Sequence, residues 1–174
     1  MDLNTRAANI KLVAFDIDGV MTDGGLHYTD DGHELKTFNV QDGLGVVLLR
    51  RSGIRVAIIT GRTSNVVSCR AKDLGVEHVF HGVGDKGAVS GQLLEQLGLQ
   101  WSELAFMGDD LNDLPAMTRC GLAIAPANAR QIVKERAHMV TEAGGGKGAV
   151  REAIEFILAA QGKLDAAFAP YLEA

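Results

Sequence analysis

An apolar run, Ile10–Phe15, stops at Asp16, skips one residue, offers Asp18 and then turns at Gly19. Two carboxylates this close repel each other, and both are costly to remove from water. A bound divalent cation would remove that penalty; an N-cap Asp followed by a turn Asp is the plainer alternative. A later run, Leu104–Met107, ends in Gly108-Asp109-Asp110-Leu111-Asn112-Asp113. Three carboxylates at one strand end suit magnesium, which prefers oxygen ligands. Asp110 or Asn112 is expected to cap the helix that follows, while Asp109 faces the metal. Another run ends in Ile59-Thr60-Gly61-Arg62, where a hydroxyl and the N–H groups of a helix start suit a phosphate oxygen. Thr before a helix is also a common cap. Lys86, in Gly84-Asp85-Lys86-Gly87, could neutralise both an aspartate and phosphoryl oxygens, or could be a solvated surface lysine.

These residues act together only if the chain carries them to one place. Ile10–Phe15, Val56–Ile59, His78–Phe80, Leu104–Met107 and Leu122–Ile124 read as buried strands. Gly43–Arg51, Ser64–Leu74, Lys86–Leu97, Asn112–Thr118 and Asn128–Lys134 read as helices between them. Such alternation predicts an α/β fold, a Rossmann-like doubly wound parallel sheet with helices on both faces. Ligands of such sheets bind at the carboxyl ends of the strands, where all the polar residues above fall. One stretch breaks the alternation. Leu26–Thr29 and Glu34–Asn39 flank Asp30-Asp31-Gly32, predicting a β-hairpin insertion at about 24–40, after the first strand. Its exposed edges could close over a site or pair with other subunits. Gly144-Gly145-Gly146-Lys147-Gly148 reads as a linker or as a substrate-facing segment; it precedes an amphipathic helix, Ala149–Ala160, and a tail containing Pro170.

The 174 residues fit one domain, with a C-terminal helix and tail over about 147–174. There is no room for a separate cap domain, so any cover must be short or come from another subunit. A net charge of −5 without a basic run argues against nucleic acid and anionic membrane as partners. No apolar run approaches the roughly 20 residues of a membrane span. Residues 1–9 lack a signal-peptide core. Cys69 and Cys120 lack metal-ligand spacing and read as reduced thiols. The expectation is a soluble cytoplasmic protein.

Taken in order, the four strand-end motifs resemble those of the haloacid dehalogenase-like phosphatase superfamily. The resemblance implies that Asp16 is the nucleophile and Asp18 the general acid and then base. It implies that Asp16, the Asp18 carbonyl and Asp109 hold Mg2+, and that Thr60 and Lys86 hold phosphoryl oxygens. Asp113 would orient Lys86, and Asp110 would support the metal shell. Asp18 favours phosphoryl transfer, since dehalogenases of the superfamily lack that second Asp. A closer similarity, to the 3-deoxy-D-manno-octulosonate 8-phosphate phosphatase family of lipopolysaccharide synthesis, covers almost the whole chain. It is carried by Asp18–Gly24, Lys36-Thr37-Phe38-Asn39, Asp42-Gly43, Ile58–Arg62, Gly145–Glu152 and Ala160–Asp165. That resemblance implies a small phosphorylated sugar acid as substrate and a capless homotetramer built through the hairpin, with each site partly covered by a neighbour. It also implies that the C-terminal region can reach toward a site. Many members carry Arg where this chain has Gln41, which keeps hydrogen bonding but loses the charge. Gly61, Arg62, Arg70, Gln41 and Lys147 are therefore the candidate substrate contacts. Two alternatives share the scaffold: a phosphatase for a nine-carbon sialic-type acid 9-phosphate, and a noncatalytic tetramerising module.

Overall fold

Two-residue alternation along short apolar runs determines which way each strand faces. The computed structural model describes residues 1–172. Among these the strands are β1 (Leu12–Phe15), β2 (His27–Tyr28), β3 (Glu34–Leu35), β4 (Arg55–Ile59), β5 (His78–Phe80), β6 (Leu104–Met107), β7 (Leu122–Ala125) and β8 (Met139–Val140). Six of them form one parallel sheet in the order β5-β4-β1-β6-β7-β8. β2 and β3 form a separate antiparallel hairpin, with Tyr28 opposite Glu34.

The sheet separates two apolar layers. Val13, Phe15, Val56, Ile58, Ala105 and Met107 face one side; Leu12, Ala14, Ala57, Ile59, Leu104 and Phe106 face the other. The first layer is closed by α1 (Leu3–Ala8), α2 (Val40–Arg51), α3 (Asn65–Leu74), α7 (Ala149–Ala160) and α8 (Leu164–Leu172). The second is closed by α4 (Lys86–Leu97), α5 (Leu114–Met117) and α6 (Gln131–Lys134), through Leu93, Leu94, Met117 and Val133. Burial on both faces explains why the strands read as continuous apolar runs.

The elements the sequence left out are short or disguised. α1 buries only Ala7 and is started by Asp2, which accepts from the Thr5 N–H at 2.9 Å. β8 has two residues. Pro170 hides α8, whose Leu164, Ala167 and Phe168 pack on the core of their own chain. The expected helix at 112–118 is a 3-10 turn, Leu111–Asp113, followed by α5.

The glycine segment is neither a linker nor part of the cleft wall. It packs behind the turn that follows β1. The Gly146 N–H donates to the Val20 carbonyl at 3.0 Å, and a Cβ on Gly145 would lie 1.9 Å from the Gly19 oxygen. Asn128 ties the two segments, donating to Gly19 O at 2.9 Å and accepting from Gly145 N at 2.5 Å. Lys147 itself is exposed.

Candidate active site

Strand order brings distant residues together. β1 lies between β4 and β6, with Phe15 level with Ile58 on one side and Met107 on the other. The residues that leave these strands, Asp16, Thr60 and Gly108-Asp109, therefore meet. Connections depart in opposite directions from β1, so a crevice opens at this point. Asp16, Asp18, Thr60, Arg62 and Asp109 line a cleft of about 290 Å³ there, with Gly24, Gly61, Asp110 and Asn112 completing its wall.

Lys86 enters from the first turn of α4, whose N-cap is Asp85. Its side chain is buried. Nζ lies 2.7 Å from Asp16 Oδ1 and 2.6 Å from Asp113 Oδ1. The other Asp113 oxygen accepts from the backbone N–H groups of Asp109 at 2.8 Å and Asp110 at 3.1 Å. Asp113 thus anchors the ammonium and the loop that carries Asp109. Asp110 caps the 3-10 turn, accepting from Leu111 N at 2.8 Å. Gly19 lets the loops approach: its φ is +88°, and a Cβ there would lie 2.1 Å from Asp109 Oδ2.

The cluster is overloaded with negative charge. One oxygen each from Asp16, Asp109 and Asp113 lie within 4.8 Å of one another, and among the described residues Lys86 is the cation that pairs with this cluster. Burial pushes the Asp16 carboxyl up to about 6; the Asp113 charge adds to this and Lys86 opposes it. Burial, then the charges of Asp113, Asp16 and Asp110, push Asp109 up to about 7. Burial works to lower the Lys86 ammonium, yet the neighbouring Asp16 and Asp113 outweigh it and raise it above the ordinary lysine value. One ammonium cannot offset three carboxylates. Both oxygens of Asp113 are already bonded, so the donors that fit a hard divalent cation are Asp16 and Asp109.

The hairpin supplies residues that the sequence reading passed over. Lys36 Nζ lies 2.5 Å from Asp18 Oδ1 and 3.2 Å from Glu34 Oε1. Ser64 donates to the second Glu34 oxygen at 2.5 Å. Arg62 donates to the Tyr28 hydroxyl and lies 3.5 Å from Glu34. Burial tends to lower the Lys36 ammonium, but Asp18 and Glu34 prevail and hold it above its usual value. Lys36 belongs to the Lys36–Asn39 segment that carries the family resemblance, and no local pattern in the sequence marks its contact with Asp18.

Gln41, Arg70 and Lys147 do not join the cleft of their own chain. Gln41 is exposed at the start of α2, where its backbone N–H is held by Asn39 at 2.7 Å. Arg70 covers the Phe38 ring at 5.6 Å from its centroid and packs against Gly43. Asp42, beside Gln41, is buried and accepts from Arg151 N at 2.8 Å, capping α7 from another helix. Asp42 is thereby committed to packing, while Gln41 stays exposed.

A parallel sheet whose first strand delivers Asp-x-Asp to the switch point, against a lysine and a second acidic loop, defines the haloacid dehalogenase-like class. The family model for a haloacid dehalogenase-like hydrolase matches residues 75–154. The 3-deoxy-D-manno-octulosonate 8-phosphate phosphatase of Yersinia pestis is 46% identical over 166 residues, covering 95% of this chain and 89% of that protein. A probable phosphatase from Pseudomonas syringae superposes with a TM-score of 0.98 at 51% identity, covering 99% of this chain and 98% of that one. The Moraxella catarrhalis 3-deoxy-D-manno-octulosonate 8-phosphate phosphatase, solved with a magnesium ion, a phosphate ion and a KDO molecule, superposes with a TM-score of 0.95 at 43% identity, covering 97% of each chain. The chain belongs to the 3-deoxy-D-manno-octulosonate 8-phosphate phosphatase family.

Proposed function

We propose that this protein hydrolyses 3-deoxy-D-manno-octulosonate 8-phosphate to the free sugar acid and phosphate, as a step of lipopolysaccharide synthesis. The observation that carries the reading is Lys86 Nζ, buried and within 2.7 Å of both Asp16 and Asp113, beside Asp109 at one cleft. Such a cluster is built to receive an oxyanion and a cation together. The ligands of the Moraxella relative support the choice of magnesium, phosphate and sugar acid.

The chemistry divides into two displacements. An Asp16 oxygen bonds to phosphorus as the bond from phosphorus to the sugar oxygen breaks, and Asp18 gives its proton to that leaving oxygen. Asp18, now ionised, takes a proton from water as the water oxygen attacks phosphorus. The bond from phosphorus to Asp16 then breaks, phosphate departs and Asp18 is protonated again. Thr60 and Lys86 hold the phosphoryl oxygens through both steps. Asp16, Asp109 and the Asp18 carbonyl would hold magnesium, which when bound would supply positive charge to offset the phosphoryl group. Gly61 and Arg62 form the adjoining substrate wall. Gln41, Arg70 and Lys147 lie outside the set of residues that line this cleft.

The direct test measures phosphate release from the octulosonate 8-phosphate and from a nine-carbon sialic-type acid 9-phosphate, with and without magnesium. Preference for the eight-carbon substrate is expected. Equal or better turnover of the nine-carbon compound overturns the assignment.

Metal binding should be visible in stability. Asp16 and Asp109 are both raised above their unfolded value of 3.8. Their protonated forms favour the metal-free fold; that contribution is complete below 3.8 and is lost as pH rises through about 6 for Asp16 and about 7 for Asp109. Magnesium binds the ionised forms, so it should raise the Tm more at about pH 8 than at about pH 5. Thermal scans in magnesium and in EDTA across that range check this, and a pH-independent increment would argue against these two ligands.

The hairpin supports a homotetramer. Leu26, Tyr28 and Leu35 are about half exposed on a ribbon that, among the described residues, has two residue pairs and unpaired edges. Leu35→Asp is expected to release smaller species in light scattering; an unchanged mass would remove the hairpin from the interface. The two free thiols, Cys69 exposed and Cys120 buried, accord with a cytoplasmic setting.

A further inference from the structure

We propose that Lys36 is a positioning residue for Asp18, fixing which oxygen of the acid/base carboxyl faces the leaving group. The inference rests on the phosphatase reading above.

Lys36 follows β3 on the returning arm of the hairpin. The hairpin is exposed, yet the Lys36 side chain is only 1% exposed. Its ammonium reaches back to Asp18 Oδ1 at 2.5 Å and is braced by Glu34 at 3.2 Å. Glu34 is itself held by Ser64, the N-cap of α3. Asp18 Oδ1 is therefore committed. Oδ2 lies 3.8 Å from Arg62 Nε, and Asp18 and Arg62 both line the cleft.

A carboxyl group turns about a broad, roughly two-fold torsion, so either oxygen could otherwise face the substrate. Acid/base transfer needs one oxygen within hydrogen-bond reach of the leaving atom. The Lys36 bond selects Oδ2 and holds it. A lysine serving only to anchor the hairpin would not need to sit on the acid/base carboxylate, and a buried ion pair is in any case weak evidence for stability.

The proposal predicts a leaving-group signature. A sugar alkoxide needs a proton as it departs, whereas nitrophenolate does not. Rapid-mixing measurements on the full-length protein with magnesium would follow release of sugar from the octulosonate 8-phosphate and of nitrophenol from p-nitrophenyl phosphate. Lys36→Met should slow sugar release by about 10²-fold, toward the lower end of general-acid effects, with KM within about threefold. Nitrophenol release should fall by less than about fivefold. Lys36→Arg should recover most of the loss. Asp18→Asn combined with Lys36→Met should lose little more than Asp18→Asn alone, because both changes strike one function.

A partly unfolded variant loses both leaving groups equally, so the ratio reports the role rather than the folded fraction. Equal losses for the two substrates, a loss confined to KM, or additive losses in the double variant would each overturn the proposal. Wild-type protein releasing phosphate from neither substrate would instead overturn the phosphatase reading.

Discussion

Asp16→Asn should lower kcat by about 10⁴-fold or more, as expected when a covalent nucleophile is removed. Asparagine has nearly the same shape, so the sheet and its packing should persist. The sign of the stability change is informative. Ionised Asp16 is disfavoured in the metal-free fold, by burial first and by Asp113 next. The variant should therefore melt no lower than the wild type in EDTA at about pH 8. It should also respond less to magnesium. Steady-state phosphate release and paired thermal scans read both effects. Residual turnover above about a hundredth of wild type would argue against an aspartyl-phosphate, since an enzyme using water directly would not depend so heavily on this oxygen.

Lys86→Met should be the more damaging change to the fold. It leaves Asp16 and Asp113, 5% and 0% exposed, facing each other without their cation. Breaking a buried pair by removing one partner costs about 3–5 kcal/mol. For a chain of this size that corresponds to a fall in Tm of about 10 °C. Activity should fall by about 10³-fold, because the cation that faces the phosphoryl oxygens is gone. Adding Asp113→Asn should recover part of the stability and none of the activity. That split separates two jobs of one ammonium: neutralising a buried carboxylate and stabilising transferred charge. A Tm within about 2 °C of wild type would mean that the carboxylates find other compensation and that the cluster is less isolated than its geometry indicates.

The candidate site was legible where local pattern and chemistry coincide. Asp16, Thr60 and Asp109 each stand directly after or one residue beyond an apolar strand. A parallel sheet buried on both faces must place all such ends on one edge. Lys86 was legible only through its neighbours, since one lysine before a helix carries no signal of its own. The Ser64 boundary of α3 and the whole of α4 follow from caps and from glycine stops at Gly75 and Gly98. The glycine segment was ambiguous because its role is complementary: it is shaped to the backbone of Gly19 and Thr22, more than 120 residues earlier in the chain.

By itself the sequence determined the alternation of strand and helix, the hairpin and the set of candidate groups for phosphate chemistry. Those features are local: period, caps and turn residues act within a few positions. Only the tertiary structure decided that Lys86 bridges Asp16 and Asp113, that Lys36 reaches back to Asp18, and that Arg70 and Gln41 lie outside their own cleft. Charged side chains have long, flexible stems and find partners wherever strand order and loop packing bring opposite charge into reach. That choice depends on distances in space, which spacing along the chain does not encode.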